Sequence, residues 1–129
     1  MSLVIQQNIS LKDKNWFKTG GNARYFCQPK NGLEFKEALT FAQANNLTIF
    51  ILGEGANVLI SDDGFDGLII HPQPTEPVFH DESEKHGLVT CSAGLSMDTV
   101  ITRTLEAGLI GLEVFSGIPG TIGGSAYIN

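Results

Sequence analysis

The chain reads as an α+β protein that opens on a strand–helix–strand unit, and three observations carry that expectation. A helical-period apolar stripe lies between two short apolar runs, the pattern of a βαβ start. A second set of short strands, punctuated by prolines, is followed by a capped helix. Fifteen glycines fall into GG, GEG and GxxGxxGG groups instead of scattering, which asks for defined backbone geometry rather than a linker.

Each element has a local reason. Residues 1–15 are polar and irregular in pattern. Gly20-Gly21 makes a turn into a strand over Arg24–Gln28, which Pro29 ends. Asn31 is an N-cap with Glu34 three residues on, a capping box. Leu33, Phe35, Ala38, Leu39, Phe41, Ala42 and Leu47 then form an apolar stripe through about Asn46. TIFIL, residues 48–52, is a continuous apolar run of the buried parallel type, and GLIIHP at 67–72 is a further strand. A strand around Val78-Phe79, an exposed charged turn at 81–85 and LVTCSA at 88–93 make a hairpin. Ser96 caps a last helix whose inner face is Val100, Ile101, Leu105 and Leu109, and Gly108 stops it. The order is α+β with a βαβ start.

Bulk properties exclude several function classes. At 129 residues the chain fits one domain's worth of core. A formal net charge of -6 with eight Lys and Arg argues against nucleic acid, which needs a basic face. It does not argue against a small phosphorylated ligand, because backbone N–H groups hold phosphate even inside an acidic protein. No apolar run approaches the roughly 20 residues of a membrane span, and MSLVIQQN lacks the regions of a signal peptide. Cys27 and Cys91 lie in expected strands without CxxC spacing and read as buried reduced thiols, consistent with a cytoplasmic protein.

Two glycine stretches carry the chemistry. Leu52–Asp62, LGEGANVLISD, follows a strand but fails the dinucleotide fingerprint, because Val58 stands at the third glycine position and the sequence beyond it is apolar and β-branched. What remains is a tight loop between strands. In it Gly53 and Gly55 permit positive φ, the N–H groups of residues 54–58 form an anion nest, and Asn57 fixes the loop through its side chain. A plain turn and a phosphate cradle both fit that composition. GIPGTIGG, Gly117–Gly124, offers the same choice: Pro119 suits the start of a helical turn, and Thr121, Gly123 and Gly124 leave the backbone bare for a flat or anionic ligand or for close packing of elements.

GEGANVLISD, the SGIPGTIGG run with its prefix Gly111-Leu112-Glu113, and FKTGGNARYF together resemble UDP-N-acetylenolpyruvoylglucosamine reductase, the bacterial cell-wall flavoenzyme also called UDP-N-acetylmuramate dehydrogenase. The three motifs come in the family's order along the whole chain. The resemblance implies that residues 1–129 are an FAD-binding domain of the vanillyl-alcohol oxidase type, with two α+β subdomains holding FAD between them, the first over about 1–72 and an incomplete second over about 73–129. It implies NADPH-driven reduction of an enolpyruvyl group on a UDP-sugar. By position, Gly53, Glu54, Gly55, Ala56 and Asn57 would wrap the FAD pyrophosphate, with Val58 and Leu59 beside it. Ala93-Gly94 would lie next to the flavin. Ser116, Gly117, Ile118, Pro119, Gly120, Thr121, Gly123 and Gly124 would line its isoalloxazine and ribityl side. The family's serine acid, its glutamate and the arginine of its YR motif match no residue here. The resemblance therefore implies the front portion of a larger enzyme, ending inside the flavin site, with no catalytic residue of its own. The alternative is a non-catalytic truncated remnant that self-associates through its exposed apolar surface or binds a nucleotide.

Other groupings carry less. His71, His80 and His86 with Asp81, Glu82 and Glu84 lie on the expected hairpin tip without metal-ligand spacing and read as a solvated turn. Ser116 lacks a GxSxG setting and a histidine to activate it. Trp16, Phe17 and Phe26 read as packing residues rather than as a stacking platform.

Overall fold

The computed structural model describes residues 3–81 and 86–128. The chain divides into two compact units, Met1–Gln73 and Pro74–Asn129.

The first unit is a four-stranded mixed sheet with a buried cluster on each face. Strands β1 (Ile5–Ser10), β2 (Asn22–Cys27), β3 (Thr48–Ile51) and β4 (Phe65–Ile70) lie in the order β1-β2-β4-β3. β1 runs antiparallel to β2, whereas β2 and β3 both run parallel to β4. Helix α1 (Gly32–Ala44) covers one face, burying Ala38 and Ala42 against Cys27, Leu68 and Ile70. Asn31 Oδ1 accepts from the Glu34 N–H at 2.9 Å, and Glu34 Oε2 reaches back to the Lys30 N–H at 2.8 Å. Asn46, at φ 51, closes the other end, with the Leu47 N–H on Ala42 O and the Asn46 N–H on Gln43 O. Leu33 and Leu39 fall outside the buried stripe and are exposed.

Parallel neighbours need a crossover, and between β3 and β4 residues 52–64 supply it without a helix. Leu52 is buried there with Leu11, Ala23, Phe26 and Ile69, and Val58 and Ile60 pack on the same cluster. The apolar, β-branched tail of LGEGANVLI is thus the cover of the second sheet face.

The structure adds to one reading and corrects another. The stretch before residue 15 holds β1 and a short 3-10 turn over Lys12–Lys14. Asn8 sits at φ 55, and Ile5 and Ile9 join clusters on opposite faces, so simple alternation is lost from the sequence. Within the 48–52 run only Leu52 is buried: β3, residues 48–51, is parallel but an edge strand, and all four of its residues are exposed.

The second unit contains the hairpin β5 (Val78–Asp81) and β6 (Gly87–Thr90), antiparallel, then α2 (Met97–Glu106) and α3 (Ile122–Ile128). The charged tip at 82–85 lies outside the described residues. Ser96 Oγ caps α2 by accepting from the Thr99 N–H at 3.1 Å. Gly108, at φ 77, terminates it, with the Leu109 N–H on Thr104 O and the Gly108 N–H on Leu105 O. The buried face is Val100, Ile101 and Thr104; Leu105 is exposed, because Thr104 satisfies its hydroxyl on Ile101 O at 2.8 Å and takes the inner position. No helix among the described residues is long and apolar enough to cross a membrane.

Candidate functional site

In the first unit the informative stretch is the beginning of the crossover. No N–H group of residues 53–60 donates to a protein acceptor among the described residues. Buried backbone donors are almost always paired, and Gly55 is buried. A row of unspent donors on a loop held by its apolar tail is what an anion nest requires. The exposure is graded: Gly53, Glu54 and Ala56 are half-buried, Asn57 is exposed, Val58 is packed inward and Leu59 is 78% exposed.

The glycine at position 55 has a reason the sequence did not disclose. It holds φ +67, and a Cβ there would stand 2.6 Å from Asn15 Cα and also strike Lys14 O. Its carbonyl accepts from the Trp16 N–H at 3.0 Å. The loop is therefore clamped by the 11–19 turn, and the clamp's centre is Asn15. That side chain is buried, donates through Nδ2 to Leu11 O and Thr19 O at 2.8 Å each, and accepts from the Thr19 N–H at 3.4 Å. Asn57, expected to do this work, makes no side-chain hydrogen bond among the described residues. Sequence reasoning missed Asn15; an asparagine four residues ahead of Thr19, at the end of a short turn, was the available signal.

In the second unit the structure brings two of the singled-out segments together. The Gly123 N–H donates to Ala93 O at 2.9 Å, the Ile122 N–H to Leu95 O at 2.9 Å and the Met97 N–H to Gly120 O at 3.1 Å. Ser96 and Thr121 form a bridge. A Cβ on Gly123 would lie 2.8 Å from the Ala93 Cβ, so that glycine answers to close packing. Gly117 and Gly120 differ: at φ +84 and +120, each has nothing within 4 Å of a would-be Cβ, and neither N–H has a partner among the described residues. Ser116 to Pro119 are exposed, Gly94 is half-buried and Thr121 is buried, its Oγ1 accepting from the Gly124 N–H at 3.2 Å. Pro119 lies in the link after the 3-10 turn Glu113–Phe115, three residues before α3, and does not open a helical turn.

The remaining candidates separate. His71 is not on the hairpin but follows β4, with Nδ1 3.0 Å from Leu52 O and its ring stacked on Phe26. His80 Nε2 meets Thr90 Oγ1 at 3.1 Å. Among the described residues no group of three His, Cys, Asp or Glu is placed to hold a metal; Glu82 and Glu84 lie outside them. Cys27 is buried and Cys91 half-buried, both as free thiols. Burial pushes the Cys27 thiol up to about 11 and raises Cys91 as well. Phe26 is core, but Trp16 and Phe17 are 60% and 58% exposed, contrary to a packing role.

Comparison with known proteins accounts for a fold with these two bare segments. Residues 23–129 match the FAD binding domain family, and the chain belongs to it. Its fold is that of vanillyl-alcohol oxidase-type flavoproteins and its cofactor is FAD. More particularly, the chain is similar to UDP-N-acetylenolpyruvoylglucosamine reductases. It is 35% identical to that of Synechococcus sp. over 97% of this chain and 39% of the relative. With that of Caldicellulosiruptor saccharolyticus the identity is 41% over 100% of this chain and 40% of the relative. The crystal structure of UDP-N-acetylenolpyruvylglucosamine reductase from Thermus caldophilus superposes with a TM-score of 0.67 at 26% identity, covering 96% of this chain and 41% of that one. Cholesterol oxidase from Brevibacterium sterolicum, at 17% identity and a TM-score of 0.68, shares the fold, covering 95% of this chain and 24% of that one. The chain thus spans about two fifths of the reductases it matches.

The residues present fit FAD. Unspent N–H groups at 53–60 suit its pyrophosphate, and the open space over Gly117 and Gly120 leaves backbone free to approach a flat ring.

Proposed function

We propose that this chain is the FAD-binding part of a UDP-N-acetylmuramate dehydrogenase, which reduces the enolpyruvyl group of a UDP-N-acetylglucosamine derivative with NADPH to form a peptidoglycan precursor in the bacterial cytoplasm. The run of unspent N–H groups from 53 to 60, in a chain matching the FAD binding domain family, carries the reading.

In this reading Gly53–Leu59 hold the pyrophosphate. Each charge-assisted N–H contact contributes on the order of 1.5–3 kcal/mol, so a few outweigh the repulsion from the chain's net charge of -6. Ser116–Thr121, Gly123 and Gly124 line the isoalloxazine and ribityl side, with Ala93-Gly94 beside them. Bound FAD supplies hydride transfer, and the protein supplies orientation and electrostatics. Binding of the UDP-sugar and delivery of its proton are assigned to no residue of this chain.

The test is co-elution. After incubation with FAD and gel filtration, flavin absorbance is expected to travel with the protein, and Gly117→Ala is expected to weaken that retention about tenfold, or about 1.4 kcal/mol. Free elution of all flavin would overturn the reading.

One further observation favours self-association alongside it. In the second unit Ile110, Val114, Tyr127 and Ile128 are 85%, 73%, 91% and 78% exposed. Apolar surface of that kind is usually covered. Sedimentation velocity across a concentration series is expected to show dimers or larger species; a strictly monomeric chain rejects the second reading.

A further inference from the structure

Trp16 and Phe17 leave well over half their surface in solvent, at a place where three independent features meet. The Trp16 N–H donates to Gly55 O, which fixes the aromatic pair to the edge of the unspent donor run at 53–60. The turn that carries them is rigidified from below by buried Asn15. The same short stretch holds Lys12, Lys14 and Lys18 against one carboxylate, Asp13, in a chain of net charge -6, with Lys14 Nζ over the Phe26 ring at 5.7 Å and Lys12 and Lys18 exposed. Exposed aromatic rings, concentrated positive charge and free backbone donors together match a flat base joined to a pyrophosphate. Aromatic faces stack on bases of any sequence, and the neighbouring cations favour an anionic ligand.

We infer that Trp16 and Phe17 form the stacking platform for the adenine ring of FAD. The inference rests on the FAD reading above. The pyrophosphate is the middle of FAD. With its phosphates on residues 53–59, the adenosine half continues directly from the pyrophosphate, and the aromatic pair stands at the edge of that run through the Trp16 N–H on Gly55 O. FMN has no adenine, so the platform discriminates FAD and ADP from FMN.

Trp16 is the sole tryptophan of the chain, so its emission reports on its own surroundings. Titration with ADP is expected to quench that emission saturably. The double substitution Trp16→Leu, Phe17→Leu changes only exposed side chains. It is expected to keep the circular dichroism spectrum while weakening FAD and ADP binding about tenfold or more, with FMN affinity unchanged within about twofold. Retained FAD affinity in the double variant, with Trp16 emission indifferent to ADP, overturns the platform and leaves the FAD reading standing. If the same variant instead dissociates an oligomer at unchanged FAD affinity, the pair is a protein contact and the platform is likewise rejected. A wild-type chain that holds neither FAD nor ADP removes both claims.

Discussion

Gly55 and Gly117 hold similar left-handed backbone for different reasons, and substitution separates them. Gly55→Ala drives a Cβ into Asn15, so strain and overpacking are expected to cost about 2–4 kcal/mol in urea unfolding. At Gly117 there is open space; Ala is expected to cost only ~1 kcal/mol of stability, with the larger effect on FAD retention. Asn15→Ala leaves the Leu11 and Thr19 carbonyls without their donor and is expected to cost about 2–3 kcal/mol by the same measurement. Cys27 titrates in the alkaline range. Burial lifts its folded pKa to about 11, above the ordinary thiol value of 9.0, so the folded state holds the proton more tightly. That contribution is complete below pH 9 and is lost as pH rises toward 11. The wild-type urea midpoint is therefore expected to fall more steeply over that window than that of Cys27→Ala; parallel curves would contradict the assignment. At this scale the sequence disclosed which glycines mattered but not why. The contact that demands glycine at position 55 comes from Asn15, forty residues earlier, and no local pattern encodes a backbone approach of that kind.

Elements with their own caps were the legible ones. Asn31 with Glu34, and Ser96, announced the starts of α1 and α2, and both caps are made. Ser96→Ala is expected to lower stability by about 1 kcal/mol, read from chemical denaturation, with no change in the slope of the transition. β1 was illegible because Asn8 breaks its alternation. β3 was read correctly as a parallel strand but wrongly as buried. A continuous apolar run records sheet propensity, and position in the sheet is settled only by β4 inserting between β2 and β3. The same insertion explains why GEGANVLI is apolar at its end: the crossover must cover a sheet face, and Val58 and Ile60 do so.

Across the whole molecule, an acidic chain with two bare-backbone segments points to a ligand held by N–H groups rather than by a basic surface. Motif resemblance identified the flavoprotein fold that the comparisons bear out. The free donors themselves, and the exposed aromatic pair beside them, became visible only with the fold. The proposed function has Gly53–Leu59 and Ser116–Gly124 serving one FAD. Backbone amide resonances of the 15N-labelled chain, followed during FAD titration, test that proposal. Amides of both segments are expected to shift together, along curves with one shared midpoint. Shifts confined to one segment, or two distinct midpoints, would contradict it.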